Sequence, residues 1–284
     1  MKIKKIVSFG DSFIFGSEID GNTDGSLAWP GLAAKKLGLQ YETRAITGCG
    51  NESIAKQIFD YFSVNEKDDT LAVINWTWKM RWDFCVDQNT DRWTGLGPTC
   101  VPSKLKDFFS LDDCKEIIHF YNKFIDNNDY FNLLRTLLTI NSAQGFLKEN
   151  NILNVQTIID STIINSQKKN NIDLEFYDIH KDPSWPDCQT DSDLDKLPTH
   201  IKEELNDFLT SNIDPPWLLE LRNKVRKEIQ YFDNDLSFLE WSYENNFPVT
   251  VEGLHPLNEA HEAACELWLN DYSILIDNYE KTKI

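Results

Sequence analysis

Two short segments, separated by most of the chain, carry residue types that together could attack a carbonyl carbon. Near the beginning, Ser12 follows the apolar run Lys5–Phe9 and a glycine–aspartate pair. Near the other end, Glu252 and His255 stand three residues apart. A serine hydroxyl becomes a nucleophile when an imidazole accepts its proton and a carboxylate orients that imidazole. The pattern predicts that the fold brings Ser12, His255 and Glu252 to one site.

The local sequence around each segment indicates how these side chains are presented. Gly10 allows a sharp turn after the first strand, so Ser12 is expected at the carboxyl edge of a sheet, where open α/β folds bind ligands. The alternative is that Ser12 only caps a helix. One turn of chain can place Glu252 against one imidazole nitrogen of His255. The alternative for His255 is a capping or core histidine, which is the role that we assign to His261.

Short apolar runs alternate with helical patterns along the chain, which is typical of an α/β protein with a parallel sheet. We predict a three-layer α/β/α sandwich with a five-stranded parallel sheet and helical insertions. The predicted strands are Lys5–Phe9, Tyr41–Ile46, Leu71–Asn75, Leu153–Ile159 and Leu174–Ile179. The predicted helices include Trp29–Leu37, which ends at a glycine, and Glu52–Phe62.

The whole chain, 1–284, is predicted to be a single domain with insertions at about 80–146 and 181–246. The first insertion is rich in aromatic residues, and the second begins with a loop rich in proline and aspartate. Tryptophans around 76–93 could form a platform for sugar rings or acyl chains, or the core of the insertion itself. The core interpretation is favoured because aromatic side chains bury large areas.

Composition limits the possible partners and compartment. The 284 residues carry a net charge of −18, which disfavours nucleic acid and anionic membranes as partners. The chain has no apolar run of about 18 residues, and its first residues indicate a strand instead of a signal peptide. Six scattered cysteines without a CxxC pair fit reduced thiols in the cytoplasm, although a bridge among Cys85, Cys100 and Cys114 stays open. We predict no metal and no cofactor, and the oligomeric state stays open.

Three blocks of the sequence resemble the SGNH, or GDSL-type, hydrolases. The first block stands here as Gly10-Asp11-Ser12-Phe13, and the last, which is Asp-x-x-His in the family, stands as Glu252-Gly253-Leu254-His255. The second block, a glycine after the second strand, matches Gly48, with Gly50 as the other register. The resemblance implies a flavodoxin-like α/β/α fold and an esterase, lipase or carbohydrate O-acetylesterase activity.

The resemblance also implies an oxyanion hole, and here the chain departs from the family. The backbone N–H groups of Ser12 and Gly48 are the implied donors. The third block should add an asparagine side chain, but direct alignment places Trp78 there, with Asn75 and Thr77 as the alternatives. The acid of the last block is Glu252 where the family has aspartate, so Glu252 either orients His255 or is a solvated residue beside a Ser–His dyad.

These motifs predict a serine esterase that works through an acyl-enzyme, with a small-molecule or glycan ester as substrate. An O-acetyl group on a neutral saccharide is the preferred substrate. Candidate substrate-binding residues are Asp11, Asn51, Trp76 and Arg81, although Arg81 also fits a surface ion pair. The competing hypothesis is a non-catalytic relative that binds a glycan or protein partner. A hydrogen bond between Ser12 and His255 would favour the enzyme.

Overall fold

A parallel four-stranded sheet lies at the centre of the fold. The structure is a computed structural model that describes residues 3–65, 67–87, 89, 91–97, 105–126, 128–165, 215–232, 236–250 and 254–282. Its strands are β1 (Lys5–Phe9), β2 (Gln40–Thr43), β3 (Thr70–Trp76), β4 (Trp82–Asp87), β5 (Arg92–Leu96) and β6 (Leu153–Ile158). The central sheet has the order β2-β1-β3-β6 with all pairs parallel, and β4 and β5 form a separate antiparallel hairpin.

Helices connect these strands and cover both faces of the sheet. They are α1 (Ser12–Phe15), α2 (Trp29–Leu37), α3 (Asn51–Val64), α4 (Leu111–Phe120), α5 (Asp129–Glu149), α6 (Pro216–Arg226), α7 (Phe238–Glu244) and α8 (Asn258–Thr282). A π-helical turn, Tyr121–Asp126, follows α4, and a 3-10 turn, Ser161–Ile163, follows β6.

The two faces of the sheet pack into two separate cores because side chains alternate along each strand. Val7 and Phe9 on β1 face a core built with α3, α5 and α6. Ile6, between them in sequence, faces a second core built with α2, α7 and α8. The chain therefore has helices on both sides of a parallel sheet, and the predicted three-layer α/β/α architecture is confirmed.

The edges of the sheet differ in detail from the prediction. The predicted fifth strand, 174–179, lies outside the described residues. Beyond β6, a single parallel bridge joins Gln156 to Ile229, with the N–H of Gln230 donating to the carbonyl of Gln156 at 2.7 Å. β2 ends at Thr43, before the predicted Ile46, because the following residues leave the regular ladder and approach the turn after β1.

The predicted insertion at 80–146 divides into two parts. Residues from β4 to the π-helical turn form a small core of their own, to which Trp82 and Phe84 contribute. The helix α5, in contrast, packs against the central sheet through residues such as Leu137 and Ile140, so it belongs to one of the two main layers. The second insertion, predicted at 181–246, is described only from residue 215 onward. There, α6 and α7 add to the two helical layers.

Three features of the described residues concern their thiols, their helix lengths and their acidic and imidazole side chains. Cys49, Cys85, Cys114 and Cys265 are free thiols, whereas Cys100 and Cys188 lie outside the described residues. No described helix is both long and apolar enough to span a membrane. No cluster of three or more His, Cys, Asp or Glu side chains in the described ranges could hold a metal ion.

Replacement of a helical glycine by alanine should change the free energy of unfolding in opposite directions at two positions, Gly145 and Gly31. Gly145 lies inside α5, where an added Cβ would meet no described atom within 4 Å. Gly145→Ala should therefore raise the free energy of unfolding by about 0.5–1 kcal/mol, because alanine has the higher helix propensity. At Gly31 in α2 an added Cβ would lie 2.5 Å from the Ser26 carbonyl oxygen. Gly31→Ala should lower the same quantity by about 1–3 kcal/mol. Urea unfolding of both variants checks this, and equal effects would contradict the packing described.

Candidate active site

The turn after β1 fixes the position of Ser12. Gly10 has a φ of +153°, and a Cβ at this position would lie 2.6 Å from Ile14 Cγ2 and 2.8 Å from the carbonyl oxygen of Asn75. Only glycine fits such a close approach. Asp11 then caps α1, since its Oδ1 accepts the backbone N–H of Phe13 at 3.0 Å. Ser12 is the first residue of the helix and not its cap, which leaves its hydroxyl available.

His255 reaches the same edge of the sheet on a turn just before α8. The backbone N–H of His255 donates to Thr250 Oγ1 at 3.1 Å, and the N–H of Thr250 donates to the His255 carbonyl at 3.0 Å. Leu254, beside it, has a φ of +53° and is buried. The ring of Phe13 lies against the imidazole with centroids 4.8 Å apart. These contacts hold both the backbone and the ring of His255.

The side chains of Ser12 and His255 meet although they are 243 positions apart in sequence. His255 Nε2 lies 2.7 Å from Ser12 Oγ. Both groups are largely shielded, with Ser12 6% exposed and the His255 side chain 13% exposed. When the hydroxyl donates to Nε2, the proton of a neutral imidazole must be on Nδ1. This is the arrangement of a nucleophile with its base.

The other imidazole nitrogen faces an acid that the sequence analysis did not identify. Glu252 lies outside the described residues. Glu18 Oε2 lies 3.2 Å from His255 Nδ1, which is an ion-pair distance. The two groups are not aligned as a hydrogen bond, and Nδ1 makes none to any described residue. No sequence signal singles out Glu18 among 46 acidic residues.

The loop after β2 approaches the turn that precedes Ser12. The N–H of Ile46 donates to the Gly10 carbonyl at 3.0 Å, and the Cys49 carbonyl accepts from Arg81 Nη1 at 3.2 Å. Gly48, between these anchors, has a φ of +78°. The N–H of Gly50 already donates to Asp83 Oδ1 at 2.8 Å. Of the two glycines that could match the second block, Gly48 is therefore the one whose backbone N–H has no acceptor among the described residues.

The three candidates for a third oxyanion donor differ in what their side chains already bind. The Thr77 hydroxyl donates to Asp11 Oδ2 at 2.6 Å. Asn75 Oδ1 accepts from the Thr157 hydroxyl at 2.8 Å, whereas Asn75 Nδ2 is buried and has no hydrogen-bond partner among the described residues. Trp78 is 4% exposed and packs with Phe13 and Leu239, and its indole N–H has no acceptor among the described residues. Among the described contacts, Asn75 and Trp78 therefore each keep a side-chain donor without an acceptor, whereas the Thr77 hydroxyl is committed to Asp11.

The described polar contacts of the four predicted substrate-binding residues are with other parts of the protein. Asp11 is fully buried and pairs with Arg81 at 2.5 Å. Asn51 clamps the backbone of Thr77, accepting its N–H at 2.9 Å and donating to its carbonyl at 3.1 Å. Trp76 is fully buried and its indole N–H donates to the Gln156 side chain. The interpretation of Trp76 as a substrate platform is corrected, because its ring lies in the core. The contacts of the other three assign them to structural support.

Asp83, on the β4–β5 hairpin, is a supporting residue that the sequence analysis missed. Its buried carboxylate accepts the N–H groups of Gly50 and Ser53, both at 2.8 Å, at the beginning of α3. Burial raises the pKa of Asp83, although these two hydrogen bonds act in the opposite direction. On the facing strand, a Cβ at Gly95 would lie 2.4 Å from the Gly48 carbonyl oxygen. The hairpin thus packs closely against the loop that contains Gly48 and, through Asp83, binds the beginning of α3.

Burial favours the uncharged forms of two side chains near Ser12 and His255, namely the Cys49 thiol and the His261 imidazole. The pKa of the Cys49 thiol is raised well above its usual range by burial and by the carboxylates of Asp83 and Asp11. Burial, followed by the effect of His255, lowers the pKa of His261 to about 3, and His261 Nδ1 accepts the N–H of Trp29. A thiolate nucleophile at Cys49 is therefore disfavoured. His261 adds no positive charge that would oppose protonation of His255.

Comparison with known proteins gives likenesses to solved structures. No family model and no curated protein matches the chain. A member of the lipolytic protein G-D-S-L family from Veillonella parvula is 11% identical, with 95% of this chain and 98% of that chain covered and a TM-score of 0.44. An acetyl xylan esterase from the rumen bacterium Butyrivibrio proteoclasticus is 10% identical, with 98% and 66% covered and a TM-score of 0.42. At these scores the likenesses carry no weight for function.

The contacts of Asp11 with Arg81 and Thr77 predict how two substitutions change stability. Asp11→Asn removes the carboxylate that neutralises the mostly buried Arg81 and accepts from Thr77. The free energy of unfolding should fall by about 2–4 kcal/mol, since a buried charge loses its partner. Thr77→Val removes one hydroxyl donor and should cost about 1–2 kcal/mol. Urea unfolding at neutral pH measures both. If Asp11→Asn costs no more than Thr77→Val, the pairing of Asp11 with Arg81 does not contribute as described.

Proposed function

We propose that this protein is a serine hydrolase that cleaves carboxylic esters through an acyl-enzyme. The observation that carries the proposal is the 2.7 Å contact between Ser12 Oγ and His255 Nε2. A hydroxyl at this distance from an imidazole nitrogen is within reach of proton transfer. The alternative hypothesis, a binding protein on the same fold, gives no chemical reason for this contact.

Acylation begins with attack of Ser12 on the ester carbonyl carbon. As the bond from Oγ to carbon forms, the hydroxyl proton moves to His255 Nε2, and the carbonyl oxygen becomes an oxyanion. When the tetrahedral intermediate collapses, the bond to the leaving oxygen breaks. The same Nε2 proton passes to that oxygen, so an alcohol departs and the acyl group stays on Ser12.

The oxyanion of this intermediate is proposed to bind the backbone N–H groups of Ser12 and Gly48. Neither N–H has an acceptor among the described residues, and the Gly48 loop is anchored to Gly10 and Arg81 on its two sides. Fixed donors of this kind stabilise developing charge without reorganisation during the reaction. The indole N–H of Trp78 is the proposed third donor.

Deacylation repeats the same steps with water as the nucleophile. His255 Nε2 takes a proton from water as the new bond to the acyl carbon forms, and then returns it to Ser12 Oγ as the acid product leaves. Every proton transfer in this cycle uses side chains of the chain itself. We therefore propose a reaction that requires only an ester and water.

Within the ester class, an O-acetylated neutral saccharide is the substrate that we propose. The net charge of −18 disfavours anionic esters such as phospholipids. The sequence also suggested an aromatic platform on which sugar rings stack. Trp76 cannot be part of such a platform, because it is buried in the core. Charge is thus the remaining support for a neutral substrate.

A fluorophosphonate probe, which labels activated serines, tests the proposed nucleophile. The unmodified protein should be labelled, and Ser12→Ala and His255→Ala should each lose labelling because the nucleophile or its base is absent. Ser17→Ala is the matched control, since this serine lies five residues further along the same segment, and it should label normally. Labelling is measured by in-gel fluorescence, with circular dichroism as the check of folding. Absence of labelling in the folded unmodified protein would falsify the proposed function and favour a binding role.

The proposed third oxyanion donor is tested by Trp78→Phe, which keeps an aromatic ring but removes the indole N–H. Loss of one such donor typically lowers turnover by about 100- to 1,000-fold, so kcat for an aryl acetate should fall by at least about tenfold. Trp93→Phe, on the β4–β5 hairpin, is the control and should leave kcat unchanged. An unchanged kcat in Trp78→Phe would show that the oxyanion is held without the indole.

A further inference from the structure

We propose that Glu18 is the acid that positions His255, an inference that rests on the function proposed above and on the 3.2 Å between Glu18 Oε2 and His255 Nδ1. Glu18 follows the nucleophile by six residues, whereas the family block would supply the acid three residues before the histidine. The two assignments place the carboxylate on opposite ends of the chain. They therefore make different predictions for the same pair of conservative substitutions.

The first support is the geometry at the imidazole. Ser12 occupies Nε2, so the proton of neutral His255 is on Nδ1, and Glu18 Oε2 lies 3.2 Å from that nitrogen. Nδ1 is buried and otherwise lacks a hydrogen-bond partner among the described residues. The Glu18 side chain is 39% exposed, so it has room to rotate into line with the Nδ1–H bond. An orienting acid accepts a hydrogen bond from this N–H, and the Glu18 carboxylate is close enough to do so after a small rotation.

The second support is the way in which the backbone holds Glu18 in place. Asn22 Nδ2 donates to the carbonyls of Phe15 and Gly16 at 2.6 and 2.9 Å. The side chain of Ile19, next to Glu18, is buried, and a Cβ at Gly16 would lie 2.7 Å from its Cδ1. The turn that carries Glu18 is thus fixed to the end of α1 and to the core. Ser12 and Glu18 are held by one rigid segment.

The third support is the backbone conformation of Glu18 itself. Its φ is +69°, in the left-handed region that non-glycine residues seldom adopt. Residues in such conformations persist where the surrounding structure enforces them, and they concentrate at functional sites. Gly16, two residues earlier, also has a positive φ of 70°. With this backbone conformation, the Glu18 carboxylate lies 3.2 Å from His255 Nδ1.

The carboxylate has a defined task in the proposed reaction. It holds the proton on Nδ1, so that Nε2 is the free base toward Ser12, and it stabilises the imidazolium that forms when Nε2 takes the serine proton. This stabilisation is greater in the transition state than in the ground state. Removal of the carboxylate should therefore lower kcat and leave KM nearly unchanged.

The decisive variants are Glu18→Gln and Glu252→Gln, each of which removes one negative charge with little change in shape. With an aryl acetate as substrate, Glu18→Gln should lower kcat by about 10- to 1,000-fold, less than the largest losses known for a fully buried acid because Glu18 is partly solvated. Glu252→Gln should change kcat by less than about threefold, and Glu18→Asp should recover part of the loss. If Glu252→Gln causes the larger loss, or Glu18→Gln leaves kcat unchanged, the assignment is overturned.

A spectroscopic measurement tests the same contact without any turnover. The His255 Nδ1 proton, when bound to a carboxylate, gives a proton NMR signal far downfield of the amide region. This signal should be present in the unmodified protein, retained in Glu252→Gln and lost or moved upfield in Glu18→Gln. A signal that disappears only in Glu252→Gln, or that is absent from all three proteins, would contradict the role of Glu18.

The two measurements separate failure of this inference from failure of the proposed function. If the Nδ1 proton signal depends on Glu18 but Ser12 is not labelled by the fluorophosphonate, the pairing stands and the proposed hydrolysis fails. If Ser12 is labelled and the ester is hydrolysed equally well by Glu18→Gln, the hydrolase stands and the assignment of Glu18 fails. Thermal unfolding of Glu18→Gln, expected to match the unmodified protein, excludes a general loss of structure.

Discussion

One buried carboxylate, that of Asp11, joins the segments that meet at the carboxyl ends of β1, β2 and β3. It accepts the N–H of Phe13, the hydroxyl of Thr77 and the guanidinium of Arg81. Through Arg81 it is also linked to the Cys49 carbonyl, next to Gly48 in the loop after β2. Because a buried carboxylate is stable only when its oxygens are satisfied, these segments are held in one arrangement. The position of the turn that carries Ser12 depends on that arrangement.

Three parts of the fold hold the residues at the carboxyl edge of the sheet. The sheet positions the turn of Ser12, the β4–β5 hairpin braces the Gly48 loop through Asp83, and the turn before α8 delivers His255. Apart from the dyad, most polar groups nearby already have partners inside the protein. In the proposed function, donors and a base that are already held in place are effective because they need no reorganisation during the reaction.

The sequence predicted the elements whose signals are local and missed those that depend on contacts between distant segments. Ser12 and the strands could be predicted because a short apolar run, a glycine and a polar motif stand together. The burial of Trp76 could not, since one position along a strand decides whether a side chain faces the core or the edge. Glu18 could not be identified because its neighbour His255 is more than 200 positions away. Asp83 likewise acts on α3 across the hairpin.

The central claim is that Ser12 carries the acyl group during ester cleavage. The most direct measurement is rapid acid quenching of the protein during turnover of an aryl acetate, followed by peptide mass spectrometry. The account predicts an acetyl group on the peptide that contains Ser12, formed before steady state and absent after the substrate is consumed. Hydrolysis without acetylation of that peptide, or acetylation only at another residue, would contradict it.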